Sequence, residues 1–243
     1  MPMTATDPSP TSGASRPSPA SQTLSRGIRV LEILSDALAP LTIDEIAVRL
    51  DVHRSVAYRL VRTLEDHGLV TRDAAGRVDL GARLAALAAG VAHDLQAEAL
   101  PELTAVANEL GMTCFIAVLD RDECVTLVSV EPRHAIASVA QRPGSRHPVA
   151  LGAPGRAILT LVPPALWPAD ADAVRVTGAV ARGYAVSHDE VIPSLRSVAV
   201  PLALRGRAAA AVGVVYLQSE HEPGVLAARL TQAADGIRAS LGG

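Results

Sequence analysis

Lysine is missing from this chain: all 22 basic residues are arginine. With alanine so abundant, that composition points to a GC-rich coding sequence, which describes the source rather than the function. Long apolar runs are missing too. No segment approaches the roughly twenty consecutive apolar residues that a membrane-spanning helix needs. The N-terminus lacks the charged-then-apolar pattern of a secretory signal, so a cytoplasmic location without membrane contact is expected. Cysteine is scarce, at two residues. If residues 120–123 turn a hairpin, Cys114 falls opposite about Ser129 and Cys124 opposite about Leu119. That separates the thiols by on the order of 17 Å along the ladder, too far for a disulfide. There is no CxxC and no His/Cys cluster at zinc spacing, so neither a metal nor a cofactor is expected. The net charge of −3 argues against a protein that coats nucleic acid unselectively. Any DNA binding must rest on where the arginines sit.

They sit on one helix. In His53 to Leu64, residues Ala57, Leu60, Val61 and Leu64 fall at i, i+3, i+4 and i+7, one apolar stripe. Ser55, Tyr58, Arg59 and Arg62 repeat that spacing two residues earlier, roughly 200° away around the axis. One side is built for a core; the other presents hydroxyls, a phenol and guanidinium groups suited to guanine edges and phosphates. Upstream, Thr42-Ile43-Asp44-Glu45 forms a capping box, followed by the short stripe Ile43, Ile46, Ala47 and Leu50. A short turn from Leu50 to His53 then gives helix-turn-helix spacing. Gly68 ends the arginine helix as a C′ residue. Leu69–Thr71 and Arg77–Leu80 read as two strands of a wing, with Arg72 and Arg77 placed to meet backbone phosphates. A capped helix, a short turn, a basic helix and a wing in that order outweigh the alternative of a small helical subdomain with a solvated arginine face. On this reading Arg54, Ser55, Tyr58 and Arg59 read base edges, Arg62, Arg72 and Arg77 hold phosphate, and His53 joins them among the DNA-binding residues.

Elsewhere the pattern divides the chain into segments. Residues 1–22, rich in Ser, Thr, Pro and Ala, read as a disordered tail. A first helix from Leu24 to Leu38, with Ile28, Leu31, Ile33 and Leu34 apolar, opens a DNA-binding domain over residues 23–80. Residues 81–98 read as a linker helix whose stripe (Leu84, Leu87, Ala88, Val91, Leu95) packs on the chain's own domains or on a second copy, the dimer seam being the favoured reading. Residues 99–243 form a second domain. It begins with a helix from Pro101 to Leu110 and continues with strands at Thr113–Leu119, Glu123–Val130 and Ile136–Ala140. A loop from Gln141 to Pro148 precedes helices at Gly152–Leu161 and Asp170–Arg182. An edge strand at Tyr184–Ser187, a hairpin of Ser197–Leu204 with Ala208–Leu217, and a closing helix at Gly224–Leu241 complete it. Hairpin-paired strands with helices around them give an α+β class.

The chain resembles the IclR family of bacterial transcription regulators from about Leu24 to its C-terminus. The residues that carry the resemblance are Leu24 to Leu34, Ser55 to Leu64, Leu69 to Asp73, Pro148 to Ala157, Gly183 to Ser187 and Arg196 to Ala199. The resemblance implies a winged helix-turn-helix, a linker helix and a GAF-like effector domain. It also implies a homodimer or dimer of dimers on a palindromic operator in double-stranded DNA, and a small organic or aromatic acid as effector. Effector positions carried over from the family are Ile136, Val139, Ala153, Pro154, Ser187, His188, Ser197, Gly213 and Val215. This chain departs from the family pattern at three points. Pro154 removes an N–H at the head of the short helix, Arg156 replaces a common lysine, and Gly213 and Val215 stand where a hydroxyl is frequent.

The leading function is a ligand-responsive transcription factor. The alternatives are a constitutive DNA-binding regulator whose sensor has decayed, suggested by Pro154, Gly213 and Val215, and an enzyme. For an enzyme the nucleophiles would be Cys114, Cys124 or Ser197, with His134, His147 or His188 as base. None stands in a triad or elbow setting, and no catalytic residue is expected.

Overall fold

The computed structural model describes residues 21–88, 90, 92–134, 141–217, 219 and 221–242; of the tail expected over residues 1–22, residues 1–20 lie outside it, while Ser21 and Gln22 cap and open a helix. The chain falls into two compact units divided between residues 91 and 92.

In the first unit, α1 (Gln22–Ser35) starts at Ser21, whose Oγ accepts the Leu24 N–H. It ends earlier than expected, at Asp36. Its buried side is Gly27, Val30, Ile33 and Leu34, so Ile28, one residue out of phase with that stripe, is exposed. Helix α2 (Ile43–Leu50) carries the capping box in full: the Glu45 N–H donates to Thr42 Oγ1 and the Thr42 N–H to Glu45 Oε2. Asp51 then turns through left-handed space, φ 52°, and redirects the chain into α3 (Arg54–Asp66). Ala57, Leu60, Val61 and Leu64 are all buried against α1 and α2, as their spacing predicts. Gly68, φ 68°, releases the chain into strands β1 (Val70–Arg72) and β2 (Val78–Leu80). They pair antiparallel as the wing, and Leu41 adds a bridge to Val78 that local pattern does not announce.

The single helix expected over residues 81–98 is two: α4 (Arg83–Ala88), in the first unit, and α5 (His93–Leu110), in the second. Helix α5 has Ala92, at φ 46°, as its N-cap and continues through Pro101. An interior proline removes one helix hydrogen bond and costs about 3 kcal/mol. Leu95, Ala99, Leu103, Val106 and Ala107 form one buried stripe on both sides of Pro101, and their burial offsets that cost. The supposed dimer stripe is thereby divided, because Leu95 belongs to the core of the second unit whereas Leu87 of α4 is exposed.

The second unit is a six-stranded antiparallel sheet between two helical layers. Its strands are β3 (Thr113–Asp120), β4 (Glu123–Val130), β5 (Arg146–Pro148), β6 (Ala185–His188), β7 (Arg196–Leu202) and β8 (Ala210–Tyr216), in the order β5-β4-β3-β8-β7-β6. Strand β5 lies inside a stretch expected to be loop, and the expected strand at Ile136–Ala140 lies outside the described residues. Side chains alternate across the pleat. Cys114, Ile116, Val198, Val200, Val212 and Val214 pack with α5 and α8 (Pro223–Ser240). Phe115, Ala117, Ala199, Ala211 and Val215 instead face α6 (Gly152–Leu159) and α7 (Ala173–Arg182). Cys114 lies opposite Val130 rather than Ser129, because a bulge between Ile116 and Ala117 shifts the register by one; both cysteines are buried and free.

Candidate DNA-binding face and effector cleft

The N-cap of α3 is His53, whose Nδ1 accepts the Ser55 N–H at 3.3 Å and lies 2.9 Å from Ser55 Oγ. Accepting there places the ring proton on Nε2, which stays available as an outward donor. Ser55, Tyr58, Arg59 and Arg62 are exposed along one side of α3. The arginines differ in how far they are committed. Arg54 pairs with Asp44 at 2.7 Å across α2 and α3. Arg62 is held protonated by the Tyr58 hydroxyl and by Asp66, 3.7 Å away. Arg72 is drawn inward, donating to Glu65 at 3.2 Å with its guanidinium carbon 5.7 Å from the Tyr58 ring centre. It thus ties the wing to α3. Arg77 donates to the Pro40 carbonyl at 3.1 Å. Among the described residues, the Arg59 guanidinium makes no ion pair or hydrogen bond. It is the reading-face cation whose forks are already free.

In the second unit, α6 is short and wholly buried, and two features of its sequence explain how it fits. Gly155 lies so close to the turn leading into α6 that a Cβ there would stand 2.1 Å from the Val149 carbonyl oxygen. Arg156, the cation of an otherwise apolar helix, has a side chain only 4% exposed. A buried guanidinium requires a partner, and Glu190 supplies it. The two form a fork at 2.6 and 2.9 Å, and Arg156 also donates to the Val186 carbonyl. The same carboxylate accepts the Gly152 N–H at 3.1 Å and Arg175 at 2.8 Å. Burial works to raise the Glu190 pKa, but the Arg156 and Gly152 hydrogen bonds and the two guanidinium charges hold it below the ordinary carboxylate value.

Beside this clasp, against the sheet, lies a small open cleft of about 50 Å³. Of the expected effector residues, Pro154, Ser187, Ser197 and Val215 line it. Ala153 is buried within α6 and is not part of the lining. His188 pairs across the strands with Arg196, is exposed, and lies 3.2 Å from Asp189, away from the cleft. Gly213 sits behind the Phe115 ring: a Cβ there would come 3.1 Å from its Cζ, so the missing side chain has a packing reason. Ile136 and Val139 lie outside the described residues. Sequence reading missed Phe115, His147 and Glu190 in the lining. The clue to Glu190 was an arginine inside an apolar helix; its partner, 34 residues away, carried no local signal.

The thiols suggested as nucleophiles are poorly suited to the role. Burial pushes Cys114 and Cys124 up to about 12, leaving both protonated. Ser197 donates its hydroxyl to the Val214 carbonyl at 2.8 Å, so its proton is directed at backbone rather than at a base.

Comparisons with known proteins converge on one family. The IclR helix-turn-helix domain model matches residues 23–74. Over nearly the whole chain, the fold matches the crystal structure of an IclR transcriptional regulator from Alicyclobacillus acidocaldarius, with a TM-score of 0.78, 29% identity, and 90% and 98% of the two chains covered. The chain carries an IclR helix-turn-helix domain and has the fold of IclR transcriptional regulators. A second IclR homologue, from Microbacterium hydrocarbonoxydans and complexed with 4-hydroxybenzoate, matches with a TM-score of 0.77 and 28% identity over 90% and 99% of the chains. A relative named probable transcriptional regulator SauR, from Cupriavidus necator, is 28% identical over 78% of this chain and 83% of its own length. The winged helix-turn-helix of this chain, matched by the IclR helix-turn-helix model, is therefore a DNA-binding element. Among the described residues, no helix is long and apolar enough to cross a membrane.

Proposed function

We propose that this regulator binds a palindromic operator as a homodimer, lays α3 in the major groove, and answers to a small molecule held in the cleft beside α6. The observation that carries the DNA half is the exposed Ser55, Tyr58, Arg59 and Arg62 side of α3, backed by a fully buried apolar stripe. Arg59, Ser55, Tyr58 and Arg54 read base edges, Arg54 after release from Asp44. Arg62 and Arg77 hold phosphate, and His53 donates to phosphate through Nε2. Arg72 acts by positioning: it fixes the Tyr58 ring and the wing together. The exposed Leu87 on α4 serves a seam between copies, and two reading helices then address two half-sites.

The effector works by linkage. It shifts operator affinity only if it binds one arrangement of the dimer better than the other. The bound 4-hydroxybenzoate of the Microbacterium homologue supports the presence of an effector site in this domain, as does the polar and apolar lining of the cleft here. Retention of genomic fragments at moderate salt, with the retained DNA sequenced, tests the reading. A recovered palindrome is the expected result, and retention without sequence preference both with and without a metabolite extract would overturn it.

A further inference from the structure

A serine on a reading helix carries both a proton and lone pairs, so by itself it meets either kind of base edge. Ser55 has lost that freedom. It is the second residue of α3, in the first turn, where a reading helix meets base edges, and His53 caps the same turn. The Ser55 N–H points at His53 Nδ1 across 3.3 Å, and Ser55 Oγ lies 2.9 Å from the same nitrogen. A proton on Nδ1 would face the amide proton head-on, so Nδ1 is bare. At 2.9 Å its lone pair and those of Oγ attract only with a proton between them, and that proton can come only from the hydroxyl. Ser55 therefore donates inward to His53 and turns its oxygen lone pairs to the exposed side of the helix.

The rest of that side gives protons. Arg54, Arg59 and Arg62 have no acceptor atom. The Tyr58 oxygen is engaged by Arg62 and has its own proton to give. The nearby carboxylates are taken: Asp44 by Arg54, Asp66 by Arg62 and Glu65 by Arg72. We infer that His53 fixes Ser55 as an acceptor, so that Ser55 reads an exocyclic amino group, that of adenine or cytosine, amid donors suited to guanine and phosphate. This deepens the DNA half of the proposed function and rests on it. A guanine or thymine at that position presents a carbonyl to an oxygen whose proton is already spent, and two acceptors repel. His53 is a positioning residue: it acts on the base through Ser55, while its Nε2–H remains for phosphate.

The test is selection of bound duplexes from a randomised double-stranded pool by the full chain, with and without a metabolite extract. Wild type, Ser55→Ala, His53→Ala and His53→Asn are compared. The wild-type motif is expected to hold a position in each half-site restricted to adenine or cytosine, and Ser55→Ala to lose the restriction there alone. His53→Ala frees the hydroxyl to turn, so guanine and thymine enter at that position. Asparagine is itself a good N-cap whose Oδ1 only accepts, so His53→Asn keeps the restriction. A role in capping alone would leave base preference unmoved in every His53 variant. Fluorescence anisotropy then follows deletion of the amino group, with purine in place of adenine or 2-pyrimidinone in place of cytosine. Wild type should weaken about 2- to 12-fold per half-site, the value of one neutral hydrogen bond, and Ser55→Ala not at all. A Ser55-dependent position that prefers guanine or thymine, or no position that depends on Ser55, would overturn the inference while leaving the operator reading standing. So would an unchanged preference in His53→Ala. If that variant fails to fold, the wild-type restriction and its loss in Ser55→Ala decide. A wild type that melts cooperatively and selects no motif would overturn the inference and the operator reading together.

Discussion

Arg59→Ala isolates the base-reading contribution of α3. The side chain is exposed and, among the described residues, unpaired, while the helix is held by Ala57, Leu60, Val61 and Leu64 on the opposite side. Removing it should leave the melting temperature unchanged. Because nothing inside the protein must be broken to free its guanidinium, the full value of a base contact is lost, about 1–3 kcal/mol per reading helix. At 1.4 kcal/mol per tenfold, that is roughly 5- to 150-fold. Two helices on a symmetric site, far enough apart to add, would lose about 2–6 kcal/mol. Arg54→Ala should lose less. Its 2.7 Å pair with Asp44 already competes with DNA, and an exposed pair of this kind is worth about 0.2–1 kcal/mol. The assay is fluorescence anisotropy on the recovered operator and on a scrambled duplex, at one fixed salt concentration. The expected result for Arg59→Ala is a loss confined to the operator. Equal losses on both duplexes would make Arg59 a phosphate contact, and no loss on either would show that this side of α3 does not read DNA.

Other perturbations follow from the geometry. Thr42→Ala removes the cap of α2 and half of its reciprocal box, and should cost about 0.5–2 kcal/mol in urea denaturation. Gly155→Ala places a methyl 2.1 Å from the Val149 carbonyl oxygen. The turn ahead of α6 must move away from the helix, so a drop of about 1–3 kcal/mol or more is expected, measured by calorimetry together with loss of the ligand-dependent thermal shift. Because Glu190 has its pKa depressed in the fold, its contribution is complete above the unfolded carboxylate value of about 4.3 and is lost as pH falls through the lower folded value. Urea melts between pH 5 and pH 3 should therefore show a shallower fall for Glu190→Gln than for wild type.

Much of this protein was decided by the sequence alone, and what was decided is local. The capping box at Thr42, the buried stripe of α3, the wing and the hairpins of the sheet domain depend on residues within a few positions of one another. Their periodicity therefore reports them directly. Boundaries set by packing did not follow local rules. Pro101 reads as a helix start, yet α5 runs through it because the stripe from Leu95 to Ala107 is buried along its whole length. Arg72 and Arg77 read as phosphate contacts, and only the fold brought Glu65 and Pro40 within their reach. The clasp is the clearest case. Arg156 and Glu190 lie 34 residues apart. What joins them is the seating of α6 against the strands, where a buried guanidinium can persist only beside a carboxylate. Family pattern led to the cleft, but the charge state of that cleft was decided by tertiary structure, because electrostatics inside a fold depends on distance in space and not along the chain.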